Sequence, residues 1–137
     1  MRPMELARGY YESYETGDRS FIERNMAEGF TFTSPFDDHI GREEYFARCW
    51  PNHVSHRKFH FEAIMEHGDV VLVVYRLEMR FPNAVHPDAS FRNAERMRFE
   101  EGKLKSIDVF FGDPPAVSPA VSSLNDAAPL SDTDMRK

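Results

Sequence analysis

The sequence predicts an α+β domain, with helices first and an antiparallel sheet after them. Three observations carry this. Apolar residues recur at helical spacing through residue 50, they alternate at strand spacing from Phe59 to Phe111, and Gly, Pro and Asp residues punctuate the runs. Helices followed by a meander of long strands place the helices on one side of the sheet.

Taken in order, Leu6, Ala7, Tyr10, Tyr11 and Tyr14 form one face of a first helix that stops at Gly17. Asp18 caps a second helix, expected to run from Arg19 to about Ala27 with Phe21, Ile22 and Met26 inward, and Gly29 ends it. Phe30, Phe32 and Ser34 alternate with Thr31 and Thr33 in a short strand closed by Pro35, and residues 36–40 pair back. A third helix starts near Arg42, carries Tyr45, Phe46, Cys49 and Trp50, and ends at Pro51.

Phe59, Phe61, Ala63 and Met65 are expected on one face of the next strand. The His67-Gly68-Asp69 turn leads to Val70–Phe81, the strongest strand signal in the chain. Tyr75, Leu77, Met79 and Phe81 share one face of it. After a loop at 82–88 come Phe91–Phe99, the Glu101-Gly102 turn and Leu104–Phe111. Residues 1–112 thus form the domain. Residues 113–137, rich in Pro, Ser, Ala and Asp with no apolar period, read as a disordered tail.

At 137 residues, 41% hydrophobic and 29% charged, the chain has the composition of one ordinary globular domain. Its formal charge of −6 argues against nucleic acid or an anionic membrane as partner, because both are gripped by clustered Lys and Arg. No apolar run approaches the roughly 20 residues that cross a bilayer, and the N-terminus lacks the apolar stretch of a secretory signal. The single cysteine, Cys49, cannot form an internal disulfide, which makes the cytoplasm the expected location. The six histidines are scattered, and His53-x-x-His56 has no third ligand nearby in sequence, so no metal is expected.

Several segments carry a family likeness in order and spacing: Tyr10 followed by Thr16-Gly17-Asp18, Phe32-Thr33-Ser34-Pro35, Tyr75-Arg76-Leu77-Glu78-Met79, Glu95-Arg96-Met97-Arg98-Phe99, and Ile107-Asp108-Val109-Phe110-Phe111-Gly112. Across residues 4–112 the chain resembles the nuclear transport factor 2 superfamily, which includes ketosteroid isomerases, SnoaL-type polyketide cyclases and limonene epoxide hydrolases. The resemblance implies a cone: a strongly bent antiparallel sheet packed against three N-terminal helices that close an apolar pocket for a small-molecule ligand. It also implies a homodimer through the convex face of the sheet, and no cofactor. In the isomerase pattern the oxyanion-hole tyrosine falls on Tyr10, and the second donor, a protonated carboxylic acid, falls on Glu95. The proton-shuttling aspartate falls on Ser34, whose hydroxyl is not a general base near neutral pH.

The residues support part of this independently. Glu95 shares a strand face with Phe91, Asn93, Met97 and Phe99, while Arg92, Arg96 and Arg98 take the other. A carboxyl among apolar neighbours has its charged form disfavoured, which makes a proton donor; the alternative is a structural carboxylate paired with Tyr10 or a histidine. Tyr10 either donates into the pocket or packs as a helix-face aromatic. Asp37 and Asp38 are candidates for the missing base, although an acidic turn is the simpler reading.

Ser34, Tyr75, Leu77, Met79 and Asn93 are expected to line the pocket. So are Met97, Ile107, Val109 and Phe111, with Trp50 closing it from the third helix. Arg76, Glu78 and Asp108 alternate with these and should form outward ion pairs, Glu78 with Arg96 or Arg98. The chemistry expected is that of an isomerase, cyclase or hydrolase using Glu95 and Tyr10. The alternative is a non-catalytic ligand-binding or dimeric scaffold module.

Overall fold

The computed structural model describes residues 1–50, 56–80 and 88–112. The chain turns into α1 (Pro3–Thr16), with Pro at the helix start and the Glu5 carboxylate accepting from the Arg2 backbone N–H at 2.9 Å. Leu6, Ala7, Tyr10, Tyr11 and Tyr14 are buried as the periodicity requires. Gly17, at φ 81°, closes the helix by donating its N–H to the Ser13 carbonyl.

The second helix is shorter than the sequence suggests. α2 spans only Arg19–Arg24, and Met26 and Ala27 belong to β1 (Met26–Ser34). The Asn25 carbonyl accepts from the Leu104 N–H at 2.7 Å, which diverts the chain from the helix into the sheet. Gly29 lies inside β1 at φ 75°, within an irregular stretch of register between Met26 and Thr31. Met26 and Phe30, four residues apart, share the inward face at strand period as they would at helical period, so an inward Met26 fits helix and strand alike.

β2 (Asp37–Ile40) pairs back on β1, and α3 (Arg42–Arg48) follows with Tyr45 and Phe46 buried. The long strands β3 (His56–His67), β4 (Val70–Arg80), β5 (Asp88–Glu100) and β6 (Lys103–Phe111) complete the sheet. The strand order is β2-β1-β6-β5-β4-β3. The sheet is mixed rather than wholly antiparallel: β6 ends the meander beside β1 and runs parallel to it, while every other pair is antiparallel.

β3 contains a bulge at Glu62, because Phe61 pairs with Tyr75 and Ala63 with the adjacent Val74. One extra residue flips the parity of everything after it. Phe59 faces inward, and after the bulge Ile64 packs on the core while Met65 is exposed, correcting the single face expected for Phe59, Phe61, Ala63 and Met65. Phe81 and residues 113–137 lie outside the described residues. The core sits between α1, α3 and the inner face of the sheet, with Tyr45, Val71, Val73, Met79, Met97 and Ile107 deepest.

Candidate functional site

A cavity opens between the helices and the inner face of the sheet, about 630 Å³ when counted out through its mouth. Its wall is mostly aromatic: Tyr10 and Tyr14 from α1, Phe32 from β1, Phe59 from β3, Tyr75 from β4, and Phe91 and Phe111 from β5 and β6. Leu77, Val109 and Cys49 add apolar surface, and burial pushes the Cys49 thiol well up. The polar groups are few: Ser34, Asp37, Asn93 and Glu95.

Glu95 is the focus of one side. Its strand register sets it between Val73 on β4 and Val109 on β6, and it is 7% exposed. The Tyr11 hydroxyl donates to its Oε1 at 2.9 Å, and the Tyr75 hydroxyl donates to its Oε2. Desolvation by burial raises the Glu95 carboxyl to about 7, against the two tyrosine hydrogen bonds that favour its charged form. Both phenols are pushed well above the usual range, chiefly by burial and then by the Glu95 charge, and so remain donors.

Tyr10 is on the cavity wall, but its hydroxyl pairs with Tyr45 at 2.6 Å. The partner of Glu95 expected at Tyr10 is therefore Tyr11, the next residue of the same helical stripe, together with Tyr75. A stripe two residues wide cannot tell sequence reasoning which hydroxyl reaches β5. Tyr14 donates to the Cys49 carbonyl and so ties α1 to the end of α3.

The second polar group is built around Asp37. Arg48 Nε lies 2.7 Å from Oδ1, and the Ser34 hydroxyl donates to Oδ2 at 2.8 Å. Ser34 in turn accepts from the Phe36 N–H at 3.1 Å. Asp37 thus reaches the cavity beside Ser34. Asp38 does not: it points to solvent and pairs with His39 at 2.7 Å.

Of the expected lining residues, Ser34, Tyr75, Leu77, Asn93, Val109 and Phe111 reach the cavity. Met79, Met97 and Ile107 share the inner face but are sealed within the core, because residues of one parity on neighbouring strands cover one another where the helices pack down. Trp50 also falls short of the cavity, stacking edge-on against Tyr14 at 5.1 Å between ring centres. Tyr14, Phe32, Cys49, Phe59 and Phe91 line it without having been singled out, although each lies on a face whose parity or period marks it as inward. On the outer face, Glu78 meets His60 at 2.7 Å, and Arg96 takes Asp108 at 2.9 Å, not the Glu78 expected. Among the described residues, no three His, Cys, Asp or Glu side chains stand together as metal ligands, and no helix is long and apolar enough to cross a membrane.

A sheet packed against N-terminal helices over an aromatic pocket, which the buried carboxyls of Glu95 and Asp37 enter, has the architecture of the NTF2-like α+β cone proteins. Within that superfamily, residues 7–107 match the SnoaL-like domain, and the chain belongs to that family. Similar solved structures include an NTF2-like protein of unknown function from Burkholderia pseudomallei K96243, 20% identical with TM-score 0.68 over 81% of this chain and 91% of that one. A protein from Jannaschia sp. CCS1 described as a SnoaL-like polyketide cyclase is 16% identical with TM-score 0.68, over 80% of this chain and 85% of that one. AclR from Streptomyces galilaeus, described as a hydroxylase, is 15% identical with TM-score 0.70, over 80% and 74%. At such identities the likeness is one of fold. No curated protein matches the chain.

Proposed function

We propose that this protein binds a small, flat, largely apolar molecule bearing a carbonyl or phenol oxygen, and exchanges a proton with it through Glu95, in isomerase- or cyclase-like chemistry without a cofactor. The observation that carries the reading is the Glu95 carboxyl, buried in an aromatic cavity and raised to about 7. A carboxyl titrating there is poised to give a proton when neutral and take one when ionised. Tyr11 and Tyr75 hold both of its oxygens, so its orientation is fixed before a ligand arrives. Tyr10 remains a second donor in this reading: if Tyr45 donates to Tyr10, the Tyr10 proton is released toward the ligand. The similar fold described as a polyketide cyclase lends the same direction.

A second reading is ligand binding without turnover. Ser34 favours it, since its hydroxyl is committed to Asp37 and cannot act as the base that the isomerase pattern places there. Titration calorimetry with planar phenols tests the shared premise. Glu95→Ala should weaken binding by about 1–3 kcal/mol, the range for losing a strong buried hydrogen bond, and Glu95→Gln should be milder because the amide still donates. Unchanged affinity in Glu95→Ala overturns the proton-exchange role. Turnover of a ligand found this way separates the two readings.

A further inference from the structure

We infer that the pocket takes a two-ended ligand: a small flat ring whose hydroxyl donates to the Asp37 carboxylate at one end, while a carbonyl or phenol oxygen meets Glu95 at the other. One end rests on the proposed role of Glu95. The other is carried by Asp37 alone.

Asp37 is buried and lines the cavity. Arg48 occupies one position on Oδ1 and Ser34 one on Oδ2, out of roughly four acceptor positions on a carboxylate. Acceptor capacity therefore remains on a residue of the cavity wall. Ser34 has given its single proton to Asp37 and keeps only one neutral lone pair beside the Phe36 N–H, so the charged Asp37 is the stronger acceptor. The Arg48 guanidinium offsets the Asp37 charge, which favours a neutral hydroxyl over a cation as the group that docks there.

The strand register sets the separation. Thr33 pairs with Asp108, so continuing one residue puts Ser34 beside Val109, and Val109 pairs with Glu95. Asp37 pairs with Ser34 from the edge strand and its carboxylate takes the Ser34 hydroxyl, so the two cavity carboxyls belong to backbones at least two strand spacings, about 10 Å, apart. Two polar groups so separated suit a single ring carrying one polar group at each end. The Phe32, Phe59, Phe91 and Phe111 walls supply the aromatic contact that such a ring prefers.

Calorimetry on the full chain with 4-(hydroxymethyl)phenol and its near-isostere 4-ethylphenol tests this. A purely apolar site would favour the ethyl compound by roughly tenfold, because a buried hydroxyl without a partner is penalised. With Asp37 as its acceptor, the hydroxymethyl compound should instead bind about tenfold tighter. Asp37→Leu should reverse that order, so that 4-ethylphenol becomes the tighter ligand. Should Asp37→Leu fail to fold, the order on the unaltered protein decides by itself. Preference for 4-ethylphenol, with binding still weakened by Glu95→Ala, overturns the Asp37 end and leaves the Glu95 reading standing. A hydroxymethyl preference that Glu95→Ala leaves untouched overturns the Glu95 end, and with it the two-ended ligand. Absence of binding for both compounds at roughly millimolar concentration overturns the inference outright.

Discussion

Glu95 makes the stability of this protein depend on pH in a direction that burial fixes. Its folded carboxyl titrates at about 7, above the ordinary 4.5, so between those values the folded state holds more protons than the unfolded one. Stability is then full below the unfolded value and falls as pH rises through 7, by about 3 kcal/mol in all from 1.36 kcal/mol per pH unit. Glu95→Gln should flatten that decline and raise stability at pH 8 by roughly 1–3 kcal/mol, read from urea unfolding at several pH values. An unchanged slope would mean that Glu95 is not the group responsible. Tyr75→Phe removes a hydrogen bond that favours the charged form, and should push the Glu95 titration higher in a side-chain NMR experiment. A downward move would show that Tyr75 acts on Glu95 in another way. This much was legible in the sequence: alternation alone puts Glu95 on the apolar face of β5. Its partners were not, because whether Tyr10 or Tyr11 reaches it depends on the rotation of α1 over the sheet.

The elements succeed where period is unbroken and mislead where one residue is inserted. α1, β4 and β5 follow their sequence periods closely, since each is long and has one clear face. α2 stops at Arg24 where the Asn25 carbonyl joins the sheet, and β3 departs from its alternation at Glu62, where a bulge changes which side chains face inward. A bulge has no strong sequence signature, and it decides that Ala63 and Met65 leave the face of Phe59. The parallel pairing of β1 with β6 was hidden for a different reason, because it joins segments far apart in the chain. One glycine does show its purpose in the structure. Gly112 donates its N–H to the Arg92 carbonyl at 2.6 Å, and a Cβ there would press into that same carbonyl oxygen. Gly112→Ala should therefore lower stability by about 1–3 kcal/mol through overpacking at the end of β6, measured by thermal unfolding. A neutral outcome would mean that the strand end shifts freely.

At the scale of the whole molecule, the sheet has an inner face that forms the pocket and an outer face that stays partly apolar. The register lines up Ala63, Val74, Ala94 and Phe110 in one row, and Met65 and Leu72 at the start of the next. Met65, Leu72 and Phe110 are 60%, 44% and 54% exposed. Ion pairs stand around this patch, Arg92 with Glu62 at 2.6 Å and Arg96 with Asp108 at 2.9 Å. An apolar centre with a charged rim is the make-up of a specific interface, and both signs of charge on one surface suit a self-complementary two-fold contact. The expected occupant is a second copy of the chain, which would cover the side chains that the fold leaves bare without touching the pocket on the opposite face. Sedimentation at tens of micromolar, above the dissociation constant of an ordinary stable dimer, should give a homodimer. Phe110→Glu combined with Leu72→Asp should convert it to a monomer, because two copies would then meet charge against charge at the patch centre. Phenol binding should survive in that monomer, since Glu95, Tyr75 and Asp37 all lie on the inner side. A monomer in the unaltered protein, or a dimer indifferent to both substitutions, would show that the outer face has another role.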